Sequence, residues 1–509
     1  MADRLNSRRI LSARMSRRRW LSATGAFAIT AVALQACGGQ SAPAATQAPA
    51  APTSAPSAPT TAPAPTSAPT AAPTTAAAPT TAAAPTTAAA VTAAPTTAPT
   101  PAASTSSLTV DQNVKGKLEI FSWWTNGGEV EALNASYSVY KKYFPNVQIV
   151  NAAIGGGTGA GGNAKAVLKT RMLAHDPPES FQVHLGHELI DTWATTGYME
   201  PLDDLFKSEG WTEVFPKQLL DIASANGHLW SVPWNIHRAN ILWYNVKIFK
   251  DVGVEPPKTF DDFFAVCEKI KAKGITPLAL GEAAPFHTAH VFETVLLGTL
   301  GAEGWIGLFT GKTSWADPKV TQALNTLKKY FDYVNSDYLS VQAGDTATLV
   351  VKGTAAMVIN GDWNNGQFKS ENFMANTGFG WAPTPGTAGI YDALADSFGL
   401  PKGVKNRDAA VDWLRVGGSK EGQDAFNPLK GSIPARTDAD KSKYDAYQQW
   451  GMEEWTKDTI VPSFVHGFAA KESWTTDYVN TMNAFAAKKD VAATQKQLTQ
   501  NCQDAGVCK

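Results

Sequence analysis

The chain has 509 residues, with 44 basic and 45 acidic side chains, 17% charged and 44% hydrophobic residues, and a formal net charge of −1. Seven of the basic residues lie before residue 38 against a single acidic one, Asp3, so the remainder holds 37 basic and 44 acidic groups, a net of −7. That balance argues against nucleic acid, which asks for a clustered basic face, and the length leaves room for two lobes once a non-globular N-terminal hundred residues is set aside.

Residues 1–37 read as an export signal: Arg4, Arg8, Arg9, Arg14 and Arg17 to Arg19 precede an apolar run, Leu21 to Ala36, and then Cys37. The run is 16 residues long, short of the ~20 that a membrane-spanning helix needs, and so reads as cleaved rather than retained. Ser16-Arg17-Arg18-Arg19-Trp20-Leu21 resembles the twin-arginine export motif, with the general secretion route as the alternative. Leu34-Gln35-Ala36-Cys37-Gly38 resembles a bacterial lipoprotein cleavage box, with Gln in an unusual place; Cys37 would become the lipidated first residue. Residues 38–112 cycle Ala, Pro and Thr, with no charged residue from Gly38 to Thr109. Such a segment cannot bury a core, and regular proline makes it a semi-rigid spacer reaching on the order of 200 Å at ~3.1 Å per residue.

From Lys115 onward strand-like and helix-like segments alternate, as in an open α/β sheet with helices on both faces. Lys117 to Ser122 reads as a strand ending at Trp123-Trp124, followed by Gly127-Gly128, Glu129 and a helix from Glu129 to Tyr143. Indole faces stack on the C–H faces of a sugar ring, and a carboxylate held at fixed distance accepts from its hydroxyls; the other reading places both tryptophans in the core at a strand end. Val147 to Ala152 is a second strand, and the glycine-rich run from Gly155 to Gly162 precedes a helix from Asn163 to Ala174. No Gly-Lys-Ser/Thr follows, so the run reads as a loop at a cleft mouth and not as a phosphate cradle.

Ser180 to His184 is a third strand whose period of two puts Gln182 and His184 on one face, at the carboxyl end where open α/β sheets bind ligands. His184-Leu185-Gly186-His187 lacks a third ligand nearby, so no metal is assigned. The aromatic-rich stretch from Trp230 to Asn245 suggests a crossover into a second lobe; helices follow at Thr259 to Lys273, Val291 to Leu300 and Lys319 to Val334. Val350 to Ile359 reads as a strand leading to Asp362-Trp363, Asp396 to Leu400 as a second crossover, and the end of the chain as helical. Cys502 and Cys508 are spaced to close a C-terminal loop with Cys267 buried and free; a bond from Cys267 to either is the alternative.

With those elements in place, the chain from about Lys115 to its end resembles the extracellular solute-binding components of bacterial ABC sugar importers, nearest the glucose/galactose-binding subgroup. Ser122-Trp123-Trp124 with Gly127-Gly128-Glu129, Phe181-Gln182-Val183-His184, Gly361-Asp362-Trp363, Asp396-Ser397-Phe398-Gly399, Asn427-Pro428-Leu429-Lys430-Gly431 and Val465-His466-Gly467 carry the resemblance. It implies a two-lobed, maltose-binding-protein-like α/β fold, each lobe an open, mostly parallel sheet flanked by helices and joined by a hinge. Lobe one would span about 115–233 and 399–428, lobe two about 236–396 and 434–509.

The resemblance further implies a monosaccharide, glucose or galactose, held between the lobes and delivered to an ABC permease by a lipid-anchored monomer without cofactor or catalysis. Trp124, with Trp123, would stack on the ring, Trp363 would form a second wall, and Glu129, Gln182, His184, Asp362, Asp396, Lys430 and His466 would hydrogen-bond its hydroxyls. Carboxylates, amides and a lysine suit a neutral polyol better than an anion. Asp396 and Lys430 as a structural ion pair, His466 at a helix end and Gln182 at a sheet edge are the alternatives for those positions. Two rival functions are a secreted carbohydrate-active enzyme using Glu129 with Asp362 or Asp396 as an acid/base pair, and a sugar sensor without a transporter.

Overall fold

In the computed structural model, which describes residues 108, 110–155 and 161–508, the chain builds two main sheets that share their crossovers. The export signal, Cys37, nearly all of the spacer and the middle of the glycine-rich loop lie outside the described residues.

The first sheet runs in the order Val147–Asn151, Gly116–Phe121, Ser180–His184, Asp396–Gly399, Ser231–Pro233. Its first three strands pair in parallel, as strands joined by crossover helices do. Asp396–Gly399 returns from the other lobe and pairs antiparallel, with Asp396 opposite His184 and Phe398 opposite Gln182. The second sheet runs Phe379–Pro383, Ile241–Asn245, Ala355–Ile359, Thr276–Ala279, with Ala355–Ile359 and Thr276–Ala279 parallel and the other pairs antiparallel. A third, smaller sheet of Thr459–Pro462, Ile390–Leu394 and His237–Arg238 is built from the segments that pass between the lobes.

Each lobe has its own aromatic core. In lobe one Trp413 packs on Trp234 and Phe398. In lobe two the apolar helix His287–Thr310, interrupted at Gly301 (φ 70°), is covered by the C-terminal helix Glu472–Lys488, against which the last helix, Val491–Asp504, packs in turn. Cys502, in the last of these, is disulfide-bonded to Cys508 just beyond its end, and Cys267 is a buried free thiol.

One local expectation is corrected. Val350 and Val351 end a helix, Thr346–Val351, and the strand begins only at Ala355. The β-branched pair suggested a strand, but packing of Ala347 and Val350 into the core decides for helix, and Gly353 (φ 71°) makes the turn out of it.

The two glycines after the tryptophans have separate reasons. Gly127 opens the helix Gly127–Tyr143 at φ 50°. Gly128 gives space, because a Cβ there would lie 2.5 Å from the Leu429 carbonyl oxygen and 2.8 Å from the carbonyl carbon of Gly366. Gly366, on the lobe-two helix Trp363–Ser370, is as tightly placed: its Cβ would meet the carbonyl oxygens of Leu429 and Lys430, each at 2.5 Å. Backbones of the two lobes therefore touch with no side chain between them.

Near the crossovers, Glu293 of the long helix accepts from Ser463 Oγ (2.6 Å), Phe464 N (3.0 Å) and Val465 N (2.8 Å). Asp392, on the crossover strand, is fully buried, and its carboxyl oxygens meet no donor among the described residues. Burial, then the neighbouring Glu293, pushes Asp392 well above the usual carboxylate range, and burial raises Glu293 too. An acid that keeps its proton on folding contributes stability that is complete below the unfolded carboxylate range, near pH ~4, and is lost as pH rises through its folded value. Asp392→Asn is expected to gain on the parent protein between about pH 5 and about pH 8, by up to ~1.4 kcal/mol per pH unit, read from urea midpoints.

Candidate functional site

The carboxyl ends of the lobe-one strands, the start of the helix Gly127–Tyr143 and the start of the lobe-two helix Trp363–Ser370 enclose a cavity of about 370 Å³. Eight of the ten residues expected from sequence line it: Trp123, Trp124, Glu129, His184, Trp363, Asp396, Lys430 and His466. Gln182 and Asp362 stand one layer behind the wall, where they hold residues that do line it.

Lys430 is the buried cation of the site. Its side chain is 2% exposed, and its Nζ donates to Glu129 Oε1 at 2.7 Å, with Asp396 Oδ2 at 4.0 Å. Burial disfavours its charge, but Glu129 and Asp396 outweigh burial and raise its pKa. Asp396 Oδ1 accepts from Gln182 Nε2 (2.8 Å), and Oδ2 accepts from Asn235 Nδ2 and His237 Nε2, both at 2.9 Å. Burial opposes this carboxylate, yet His237 and Lys430 hold it well below the usual range. Gln182 also accepts from Trp123 N (3.1 Å) and so ties the tryptophan turn to the carboxylate.

His237 is the residue that sequence reasoning missed. Both of its ring nitrogens face carboxylates, Nδ1 toward Asp362 and Nε2 toward Asp396. Burial resists its charge, but Asp362 and Asp396 raise its pKa, and an imidazole donating through both nitrogens is the charged form. A signal was present: the stretch Trp234 to Arg238 alternates, and its parity sets Asn235 and His237 together. Asn360, Asn364, Gln367 and Phe286 also line the cavity without having been singled out.

The histidines expected at the site have different partners. His184 Nδ1 pairs with Glu188 Oε2 at 2.8 Å, and that carboxylate also accepts from Lys165 Nζ at 2.7 Å. His466 pairs with Ser463 Oγ at 2.8 Å, and burial, then His184 and His290, drives its pKa far down, so it stays neutral. Among the described residues no group of three or more His, Cys, Asp or Glu is arranged to hold a metal.

The two adjacent indoles separate, which revises the expectation for Trp124. It is 1% exposed and packs on Phe426 and Phe398 at 5.0 and 5.8 Å, so it belongs to the lobe-one core, while it also lines the cavity with Lys430 Nζ 5.5 Å from its ring centroid. Both indoles lie past the strand, which ends at Phe121, and Trp123 stands in a bend, so the turn and not strand alternation sets their sides. Trp123 and Trp363 are the partly exposed indoles, Trp123 beside His184 (5.2 Å) and Trp363 beside His466 (5.3 Å).

A polar cleft with aromatic walls between two crossover-linked α/β lobes defines a solute-binding protein, and comparison with known proteins gives the family. Residues 124–424 match the family described as "Bacterial extracellular solute-binding protein". An uncharacterized ABC transporter extracellular-binding protein of Pyrococcus horikoshii is 39% identical over 77% of this chain and 88% of its own length. A probable sugar-binding periplasmic protein of Mesorhizobium japonicum is 32% identical over 72% of this chain and 88% of its own. In fold, a bacterial solute receptor described as having an exclusive preference for β-D-galactopyranose superposes with a TM-score of 0.67 at 19% identity, covering 77% of this chain and 99% of that one. The chain belongs to the bacterial extracellular solute-binding proteins. By its family it is an extracellular solute-binding protein, and that family is one of transport proteins and not of enzymes.

Removing Lys430 leaves the half-buried Glu129 without its cation and takes one of two cations from the buried Asp396. Lys430→Met is expected to lose ~3–5 kcal/mol of ligand-free stability in a denaturant titration. Glu129→Gln, at a side chain that is 29% exposed, should lose only about 1–2 kcal/mol.

Proposed function

We propose that the protein captures a monosaccharide, glucose or galactose, between its lobes and hands it to an ABC permease. The observation that carries this reading is the composition of the cavity wall: Lys430 with Glu129 and Asp396 offers a fixed donor and acceptors, while Trp123 and Trp363 offer apolar faces. A pyranose presents that mixture of hydroxyl edge and C–H face. The lobes, about 115–233 with 399–428 and about 236–396 with 434–509, would close on the ligand by rotation at the crossovers. The charge pattern favours binding over catalysis: Glu129 is paired with Lys430, and Asp396 already accepts from three donors, so neither is poised as the acid of an acid/base pair. The protein acts as a monomer, held at the membrane by a lipid on Cys37.

Calorimetric titration with a panel of monosaccharides tests the central reading. Trp123→Ala and Trp363→Ala are each expected to weaken the preferred sugar by ~2 kcal/mol or more, roughly thirtyfold, with the ligand-free melting temperature little changed. Trp124→Ala should instead cost ~3–5 kcal/mol of ligand-free stability, as a core truncation does. Absence of heat and of thermal shift with every sugar would defeat the proposal.

For the anchor, Cys37→Ser is expected to move the protein from the detergent phase to the aqueous phase of a two-phase separation, since a diacylated cysteine supplies the two chains that durable attachment needs. A parent protein found wholly in the aqueous phase would rule the anchor out.

A further inference from the structure

Resting on the sugar-binding reading, we propose that Glu293, which does not reach the cavity, is a positioning residue for the ligand: through Ser463 it keeps the proton of His466 on Nδ1 and leaves Nε2 as an acceptor for a sugar hydroxyl. His466 lines the cavity, whereas Glu293 and Ser463 do not. Both of the latter are fully buried, so the polarity of their contact is set inside the protein. The two oxygens of Glu293 have separate duties. Oε2 accepts from Phe464 N and Val465 N and so caps the turn that carries His466, while Oε1 accepts from the Ser463 hydroxyl. The turn does not need that hydroxyl for its shape: Ser463 N donates to the Ala393 carbonyl (2.9 Å), and the Ser463 carbonyl accepts from Phe468 N (3.1 Å) and Ala469 N (2.9 Å). Among the described residues, the hydroxyl meets only Glu293 and His466.

The placement of each proton fixes the direction of this chain. Glu293 takes three donors, whereas the neighbouring Asp392 has none among the described residues. Donors stabilise the charged form of a carboxyl, so the proton of the acid pair rests on Asp392 and Glu293 is the carboxylate. A carboxylate only accepts, and a hydroxyl has a single hydrogen. Ser463 gives that hydrogen to Glu293 at 2.6 Å, and its oxygen is left to accept from His466 Nδ1 at 2.8 Å. His466 is neutral, since burial, then His184 and His290, push its pKa far down. A neutral imidazole carries one ring proton, and the bond made by one nitrogen decides the role of the other. Nδ1 holds the proton here. Nε2, which has no hydrogen-bond partner among the described residues, is a bare acceptor in the lobe-two wall beside Trp363, whose ring lies 5.3 Å away.

The test is nitrogen-15 NMR of the imidazole rings in the ligand-free protein, with the His466 signals identified by their loss in His466→Gln, joined to calorimetry with glucose and galactose. The parent is expected to show His466 protonated at Nδ1. Ser463→Ala removes the acceptor of that proton and should move it to Nε2. Glu293→Gln should do the same by reversing the chain: the two backbone N–H groups claim the amide oxygen, and the amide nitrogen then donates to Ser463. Should Glu293→Gln fail to fold, Ser463→Ala reads the same relay. Both variants are expected to bind sugar about five- to tenfold more weakly, the worth of one neutral hydrogen bond. A parent ring protonated at Nε2, or a ring unchanged in the variants, overturns the relay whatever the calorimetry shows. A ring that switches while affinity stays the same overturns the positioning role and leaves the sugar-binding reading intact. If the Nδ1 proton is in place and no sugar binds the parent, the sugar-binding reading falls and the positioning role falls with it.

Discussion

Asp362, His237 and Asp396 form an unbroken run of buried charge, and the cavity keeps its shape only while that run stays paired. Two carboxylates and an imidazolium in the protein interior are stable only if each meets an opposite charge and its remaining lone pairs meet donors. Here that condition holds. Asp362 accepts from the Arg238 backbone N–H at 3.1 Å, and Asp396 takes Gln182 and Asn235 in addition to His237. The partners come from separate stretches of chain: the lobe-one strand Ser180–His184, the outbound crossover at 235–238, the lobe-two segment at 362 and the returning strand at 396. One electrostatic constraint thus sets the position of the binding groups and the path of the chain between lobes.

The residue after His237 extends the same logic away from the ligand. Arg238 is fully buried with its guanidinium 4.8 Å from the Tyr391 ring and 4.7 Å from that of Trp450, donating to the Ile390 carbonyl at 2.9 Å and pairing with Asp458 at 3.0 Å. A planar cation between two aromatic faces is held in orientation as well as in place. The crossover is therefore a clamped strand pair, His237–Arg238 against Ile390–Leu394, with successive side chains serving the cavity on one side and the clamp on the other.

Much of this was legible in the sequence, and the parts that were not share a cause. Strand Ser180–His184, with Gln182 and His184 on one face, followed from a period of two, and the helix read from Glu129 to Tyr143 was legible from its carboxylate and spacing, though it takes in Gly127 and Gly128, which read as a turn before it. Which of two adjacent tryptophans is the more exposed did not follow, because both lie in the turn after the strand end at Phe121, where no period assigns a side. His237 was hidden for a related reason: its significance comes from Asp362 and Asp396, 125 and 159 residues away, and no local pattern reports a partner at that distance. The helix ending at Val351 was missed because local preference for a β-branched pair was overruled by burial.

The bare backbone contact between lobes, through Gly128 and Gly366, reaches beyond packing. Gly431, at φ 95°, joins it, since a Cβ there would fall 2.5 Å from Gly366 N. A protein that closes on its ligand is a population of open and closed molecules, and its apparent dissociation constant is the intrinsic one divided by the closed fraction. A seam of three glycines lets the lobes approach to the limit that main chains allow, so in the proposed closure the closed fraction would be governed partly by main-chain contact at the edge of the cavity, where Gly128 lines it. On the proposed function, affinity would accordingly depend on this main-chain seam as well as on the side chains of the pocket.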